Sequence, residues 1–402
     1  MFSSQFPRFT DAKGAPIVYL DSAATTQKPF CVIEAEAEFY RRSNANIHRG
    51  VHYLSRVATE QHEAARETVA QFLHARSAKE IIFTSGTTMG INLVAQTLGL
   101  SGRIGAGDEI VVTTDAHHSN IVPWQMLCER CGAILRPVPL TAELTFDFRA
   151  YEALLSPRTK LVAVPYISNA LGAVNPVRDI IAAAKRCRED ILVLVDGAQS
   201  TAHTAVDVQA LGCDFYVFSG HKIYAPTGTG ALWGREEILS ELPPWMGGGE
   251  MIAEVSFART TYNELPFKYE AGTPNIAGNI VLGKALEWVQ SIGMERIDAY
   301  EQALTARLYD GLQALGGVEI LGPRTPRCSL LSVVVPGVHH YDLGMLLDQM
   351  GIGVRTGHHC CQPFMQSLGI TGTTRYSLAL STTEEEIERA LHATARALNM
   401  LR

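Results

Sequence analysis

The sequence predicts an α/β protein: a large domain on a mostly parallel sheet, followed by a smaller α+β C-terminal domain. Short apolar, β-branched runs at residues 81–83, 110–112, 161–164, 191–195 and 215–218 each end abruptly in polar or glycine-rich residues, as buried strands do. Helical patterns lie between them; Val177, Ile180, Ile181 and Ala184 repeat at the spacing of an amphipathic crossover helix. Strands alternating with helices in this way imply a parallel sheet. Beyond Trp288 the pattern changes to a long helical stretch, then strands at 330–335, 352–354 and 376–380 interleaved with helices at 342–350 and 384–398. Gly351 suits a helix stop, and Thr383 ahead of three glutamates suits a helix start. The expected division is an N-terminal segment, 1–20, packing on the small domain, a large domain at 21–285 and a small domain at 286–402.

Composition narrows the function. A chain of 402 residues that is 47% apolar can bury a sizeable core. The net charge is −7 and the pI near 6.0, and the 34 Lys and Arg are dispersed, which argues against nucleic acid as a partner. Residues 1–16 lack an apolar leader core, and nothing reaches the ~18 apolar residues of a membrane span, so the expected location is cytoplasmic. The eight cysteines are irregularly spaced, unlike a disulfide framework. Cys128 and Cys131 have CxxC spacing but lie in a helical run, with no second pair to complete a metal site.

In parallel sheets ligands gather where the strands end, so the residues there carry the chemical reading. After residue 83 come Thr84, Ser85, Gly86, Thr87 and Thr88 at the start of a helix, an arrangement that suits a phosphate but that, taken alone, simple capping explains better. The apolar run ending at Val195 delivers Asp196, with Gln199 close behind, and an acid there either caps a helix or pairs with a cation. The next strand delivers Ser219, His221 and Lys222. Pyridoxal 5′-phosphate requires a lysine for its aldehyde, an acid for its ring nitrogen and donors for its phosphate, and Asp196 with Lys222 makes that combination. His117, after another strand, either lies on a planar ring or caps the next helix. Ser168 and Asn169 either meet the cofactor's phenolic oxygen or turn the chain. Arg355 and Arg375 have the fork geometry that grips a carboxylate. Cys360 stands on what reads as a mobile, glycine-bearing loop beside His358 and His359, the partly exposed setting of a reactive thiolate, whereas Cys361 reads as incidental.

Taken together, YLDSAAT (Tyr19 to Thr25), NIHR (Asn46 to Arg49), GTT (Gly86 to Thr88), HHSNIVPW (His117 to Trp124), DGAQ (Asp196 to Gln199), SGHK (Ser219 to Lys222), EAGTPN (Glu270 to Asn275) and RTGHHC (Arg355 to Cys360) resemble the cysteine desulfurases of the SufS/CsdA type. The resemblance implies the fold-type-I architecture of PLP-dependent transferases and a homodimer. It implies removal of sulfur from L-cysteine to give L-alanine and a persulfide on Cys360, with selenocysteine as an alternative substrate. By that resemblance Lys222 is the Schiff-base lysine, Asp196 faces the pyridine nitrogen, His117 takes the stacking position, and Gln199 and Asn169 lie on the ring-oxygen side. Thr87, Thr88, Ser219 and His221 hold the phosphate, joined by Thr273 from the partner subunit. Arg375 is the carboxylate clamp, with Arg355, His48 and Asn169 lining the substrate pocket. A sulfur-acceptor protein of the SufE/CsdE or SufU type is the implied partner, and no resident metal is implied. Three positions depart from the family pattern: Met89, Ala116 and the run Ser381, Thr382, Thr383.

Overall fold

A computed structural model describes residues 2–402. Seven strands build the large sheet: β1 Ile81–Thr84, β2 Glu109–Thr113, β3 Ile134–Val138, β4 Thr159–Pro165, β5 Leu192–Asp196, β6 Phe215–Ser219 and β7 Gly230–Gly234. Their spatial order is β1-β7-β6-β5-β4-β2-β3, and only β7 runs against its neighbours. The sheet is thus mostly parallel, as expected, and apolar side chains are buried on both of its faces.

Two strands of this sheet escaped the sequence reading. β3 is an edge strand, largely exposed except at Val138, so it lacks the continuous apolar run that marked the others. β7 reads Gly-Ala-Leu-Trp-Gly and resembles a turn, yet it is wholly buried. Gly230 has to be glycine, because a Cβ there would stand 2.4 Å from the Phe218 carbonyl and 2.7 Å from Gly86 Cα.

The second sheet is antiparallel: β8 Glu319–Ile320, β9 Leu330–Val334, β10 Arg355–Gly357 and β11 Thr373–Ser377, in the order β8-β9-β11-β10. Here the expected strands move. The final one lies at Thr373–Ser377 and ends before Leu378, because pairing with β9 stops at Leu330 opposite Ser377. Arg355 to Gly357, expected as loop, is itself an edge strand, so the loop bearing Cys360 springs directly from the sheet. Ile352–Gly353 pairs outside this sheet, with Val18–Tyr19.

Helix Ile276–Ile292 stops at Gly293, which takes φ +91°, and helix Met294–Ala314 continues from it. The last helix, Glu384–Leu401, starts with a full capping box: Thr383 accepts from the Glu386 N–H, and Glu386 accepts from the Thr383 N–H. The N-terminal segment touches both parts of the molecule. Val18 and Leu20 are buried in the core of the small sheet, whereas Phe2 and Phe6 pack edge-on against Tyr300 and Trp288. No helix among the described residues is long and apolar enough to cross a membrane.

Candidate active site

Five strands of the large sheet, β1, β2, β4, β5 and β6, deliver their trailing residues to one cavity. Thr87, Thr88, His117, Asn169, Asp196, Gln199, Ser219, His221 and Lys222 all line it, and Arg355, His359 and Arg375 close it from the small sheet.

One end suits a phosphate. Helix Thr87–Leu100 begins at Gly86 with no side-chain cap from that residue, and Thr87 and Thr88 of its first turn line the cavity at the positive dipole end. Gly86 takes φ +139°, and a Cβ there would lie 3.0 Å from Ser219 Oγ. Ser219 Oγ accepts from Thr87 N–H at 2.9 Å and pairs with Thr87 Oγ1 at the same distance. Burial, helped by Lys222 and Lys28, pushes the His221 imidazole down to about 4, so the ring is neutral.

The centre suits an aldehyde and a protonated ring nitrogen. Asp196 is 4% exposed; one oxygen accepts from Ala198 N–H at 3.0 Å, and burial raises its pKa against the opposing pulls of that N–H and of Lys222. Burial also draws Lys222 down to about 8, against the opposing pull of Asp196, which brings its amine toward the neutral form that condenses with an aldehyde. His117 caps the short turn that follows it, its Nδ1 accepting from Ser119 N–H at 3.0 Å, and its ring lines the cavity. Its proton therefore sits on Nε2, and burial with the neighbouring cation Lys222 lowers its pKa to about 3. Gln199 lies on the wall but donates its amide to the Ala23 carbonyl at 3.0 Å.

The far end suits a carboxylate. Arg375 is 2% exposed, with Nη1 on the Asn169 carbonyl at 2.9 Å, Nη2 on Asp21 at 3.1 Å and Nε without a partner. Arg355 sends Nη2 to within 3.9 Å of Cys360 Sγ.

The loop carrying Cys360 is pinned, contrary to the expectation of mobility. His359 and Cys360 both adopt left-handed backbone, φ +52° and +56°. That conformation is held by His118 N–H to the Cys360 carbonyl at 2.7 Å, Asn169 Nδ2 to the His359 carbonyl at 2.7 Å and Cys360 N–H to His358 Nδ1 at 3.1 Å. Cys361 is not incidental to this arrangement. Its buried thiol donates to Asn169 Oδ1 at 3.1 Å, with the Asp115 carbonyl 3.4 Å away, so both ends of the Asn169 amide help to hold the loop against the cavity wall, leaving one Nδ2 N–H and one Oδ1 lone pair toward other partners. Cys128, by contrast, has its thiol pushed up to about 11 by burial, which suits an inert packing residue.

Two expected site residues lie elsewhere within the chain. His48 and Thr273 share a separate cleft with Arg49 and Glu250, and His48 is bracketed by Glu63 at 3.0 Å and Glu250 at 2.9 Å. The three departures also take defined places. Met89 receives the Ser85 N–H on its sulfur at 3.2 Å, Ala116 is fully buried, and Ser381 to Thr383 form the turn that starts the last helix. His359 was missed as a cavity residue. It is 3% exposed, and its only sequence signal was its position beside Cys360.

The aminotransferase class-V family model matches residues 18–390. The chain is 48% identical to a probable cysteine desulfurase of Vibrio cholerae over 399 residues, 99% of this chain and 98% of that protein. It is 50% identical to a cysteine desulfurase of Cronobacter sakazakii over 400 residues, with the same shares covered. Among solved structures, the cysteine desulfurase CsdA of Escherichia coli matches with a TM-score of 0.92 at 41% identity, covering 100% of this chain and 98% of that one. The chain belongs to the aminotransferase class-V family, and its cofactor is pyridoxal 5′-phosphate, which the uncapped helix, buried Asp196 and depressed Lys222 all fit. Within that family its activity is that of a cysteine desulfurase of the CsdA/SufS type, acting on L-cysteine.

Proposed function

We propose that Cys360 receives the sulfur of L-cysteine as a persulfide while the carbon skeleton leaves as L-alanine. The observation carrying this reading is a half-buried thiol 3.9 Å from the Arg355 guanidinium, on a pinned loop adjoining the cavity that holds Lys222 and Asp196.

Pyridoxal phosphate, when bound, supplies a sink for the electron pair left by the Cα–H bond. Thr87, Thr88, Ser219 and His221 bind its phosphate, and Asp196 holds the proton on its ring nitrogen. Lys222 would hold the aldehyde when the cofactor is bound, and its amine is the group placed to carry the Cα proton. Arg375 and Arg355 orient the substrate carboxylate. His117, with its proton on Nε2, faces the same space and passes protons to the departing product. The Cys360 thiolate attacks the substrate sulfur, the carbon–sulfur bond breaks with its electron pair left on the carbon skeleton, which takes up a proton to become alanine, and the sulfur stays on Cys360.

Two working units serve this chemistry, residues 21–285 with the cofactor wall and 286–402 with the sulfur-accepting loop. A homodimer accounts for His48 and Thr273, which share a cleft outside their own chain's cavity and in a partner would complete the site. A sulfur-acceptor protein of the SufE/CsdE type, presenting its own cysteine, takes the persulfide for iron–sulfur cluster assembly or other sulfur transfer. Eight unpaired cysteines are in keeping with a reducing, cytoplasmic setting.

The test is Cys360→Ser. It should keep cofactor absorbance and its response to L-cysteine but form neither protein-bound persulfide nor alanine at the normal rate. Normal turnover by this variant contradicts the assignment.

A further inference from the structure

Lys28 has been given no part in the chemistry, yet its ammonium group is half-buried among oxygen acceptors. Nζ donates to the Thr26 carbonyl at 2.5 Å and to the His221 carbonyl at 3.0 Å, and Thr25 Oγ1 lies 3.4 Å away. The His221 carbonyl belongs to the peptide that leads into Lys222. Three more donors converge on it: Thr26 N–H at 3.0 Å, Thr25 Oγ1 at 3.1 Å and Thr26 Oγ1 at 3.2 Å. A carbonyl has two lone pairs, so these four donors share the oxygen, and Lys28 supplies the charge-assisted member among them.

The anchored stretch needs holding. After β6 the chain makes a single 3-10 turn, Gly220–Lys222, and Tyr224 then takes φ +65°, a left-handed conformation costly for a bulky residue. Tyr224 N–H donates to Thr26 Oγ1 at 2.9 Å, so the strained residue and the carbonyl before Lys222 are fastened to the same short segment. That segment also reaches the opposite end of the cavity, where Asp21 accepts from Arg375 and the Ala23 carbonyl accepts from Gln199. Burial draws Lys28 down to about 8, which leaves it charged at neutral pH.

We propose that Lys28 is a positioning residue for Lys222, clamping the His221 carbonyl from behind so that the lysine projects into the cavity at a fixed angle. The proposal rests on Lys222 as the cofactor lysine and extends that reading to a group that touches neither cofactor nor substrate.

Lys28→Met keeps the aliphatic stem and removes the donor and the charge, whereas Lys28→Arg keeps both. In cofactor-free protein, amide exchange in the peptide spanning Lys222 to Ala225 should rise about tenfold in Lys28→Met and return toward the parent in Lys28→Arg. In the loaded enzyme, kcat for alanine formation should fall about tenfold with KM for L-cysteine within about twofold, because the clamp orients the proton-carrying amine and does not bind substrate. Lys28→Arg should recover most of that kcat. Parental exchange and parental kcat in Lys28→Met overturn the proposal. A Lys28→Met that is merely destabilised, with kcat and KM unchanged, overturns it as well. Neither result bears on Cys360, whose assignment stands or falls on its own serine variant.

Discussion

Cys360 Sγ and Nη2 of Arg355 stand 3.9 Å apart, the guanidinium on the edge strand and the thiol on the loop that leaves it. At that distance the guanidinium can hydrogen-bond the sulfur and hold it in place on the loop. Arg355→Met should therefore slow iodoacetamide modification of Cys360 by roughly three- to tenfold while leaving the absorbance of the resting cofactor unchanged. An unaltered alkylation rate would show that Arg355 serves only the substrate.

Acid should act through buried imidazoles. His359 is held near 2 and His117 near 3, burial being the first cause for each, against 6.5 for a free histidine. Because the folded values are depressed, the unfolded chain binds more protons below pH 6.5, and the neutral rings contribute stability that is lost as pH falls from there. For His359, which is 3% exposed, the loss amounts to on the order of 1–2 kcal/mol by pH 5. Denaturant unfolding of cofactor-free His359→Gln should show a shallower decline between pH 7 and pH 5 than the parent. Parallel curves would count against this account.

Arg66 and Glu270 form a bidentate pair at 2.6 and 3.0 Å, with side chains 1% and 7% exposed. Glu270 also accepts from Phe83 N–H at 2.7 Å, which ties the segment carrying Thr273 to β1. Glu270→Ala removes one of two carboxylates on the buried guanidinium, leaving Glu63 at 2.9 Å from its Nε, and should cost about 2–3 kcal/mol, read by denaturant unfolding. The double variant Arg66→Leu, Glu270→Leu should cost clearly less than the single one. Equal costs would mean the pair's charge is unimportant.

Gly86 offers a test of the phosphate end. Alanine there must hold φ near +139° and put its Cβ 3.0 Å from Ser219 Oγ. Gly86→Ala should weaken pyridoxal phosphate binding by about tenfold or more, measured by absorbance titration of the cofactor-free protein. Undiminished affinity would move the phosphate away from this turn.

Much of this architecture was legible because strand ends in a parallel sheet are punctuated. The runs leading to Thr84, Asp196 and Ser219 are continuous and apolar, so the residues following each could be named in advance. What stayed hidden depended on tertiary context. Val138 is the one buried residue of β3, and the two terminal glycines of β7 mimic a turn until Phe218 and Gly86 close around Gly230 and Leu239 and Phe215 around Gly234. At the site, Asn169 could be placed on the wall, but not the direction of its amide, which depends on the thiol of Cys361 nearly two hundred residues later in the chain. Lys28 carried no local signal, since its role depends on a carbonyl brought to it by the fold.

The central claim is tested most directly by mixing the loaded protein with one equivalent of L-cysteine in the absence of reductant, then mapping the added sulfur by mass spectrometry on the peptide that contains Cys360 and Cys361. The account predicts one alanine per site with the extra sulfur on Cys360, and no trapped sulfur in Cys360→Ser. Alanine released with the sulfur on Cys361, or with none on the protein, would contradict it.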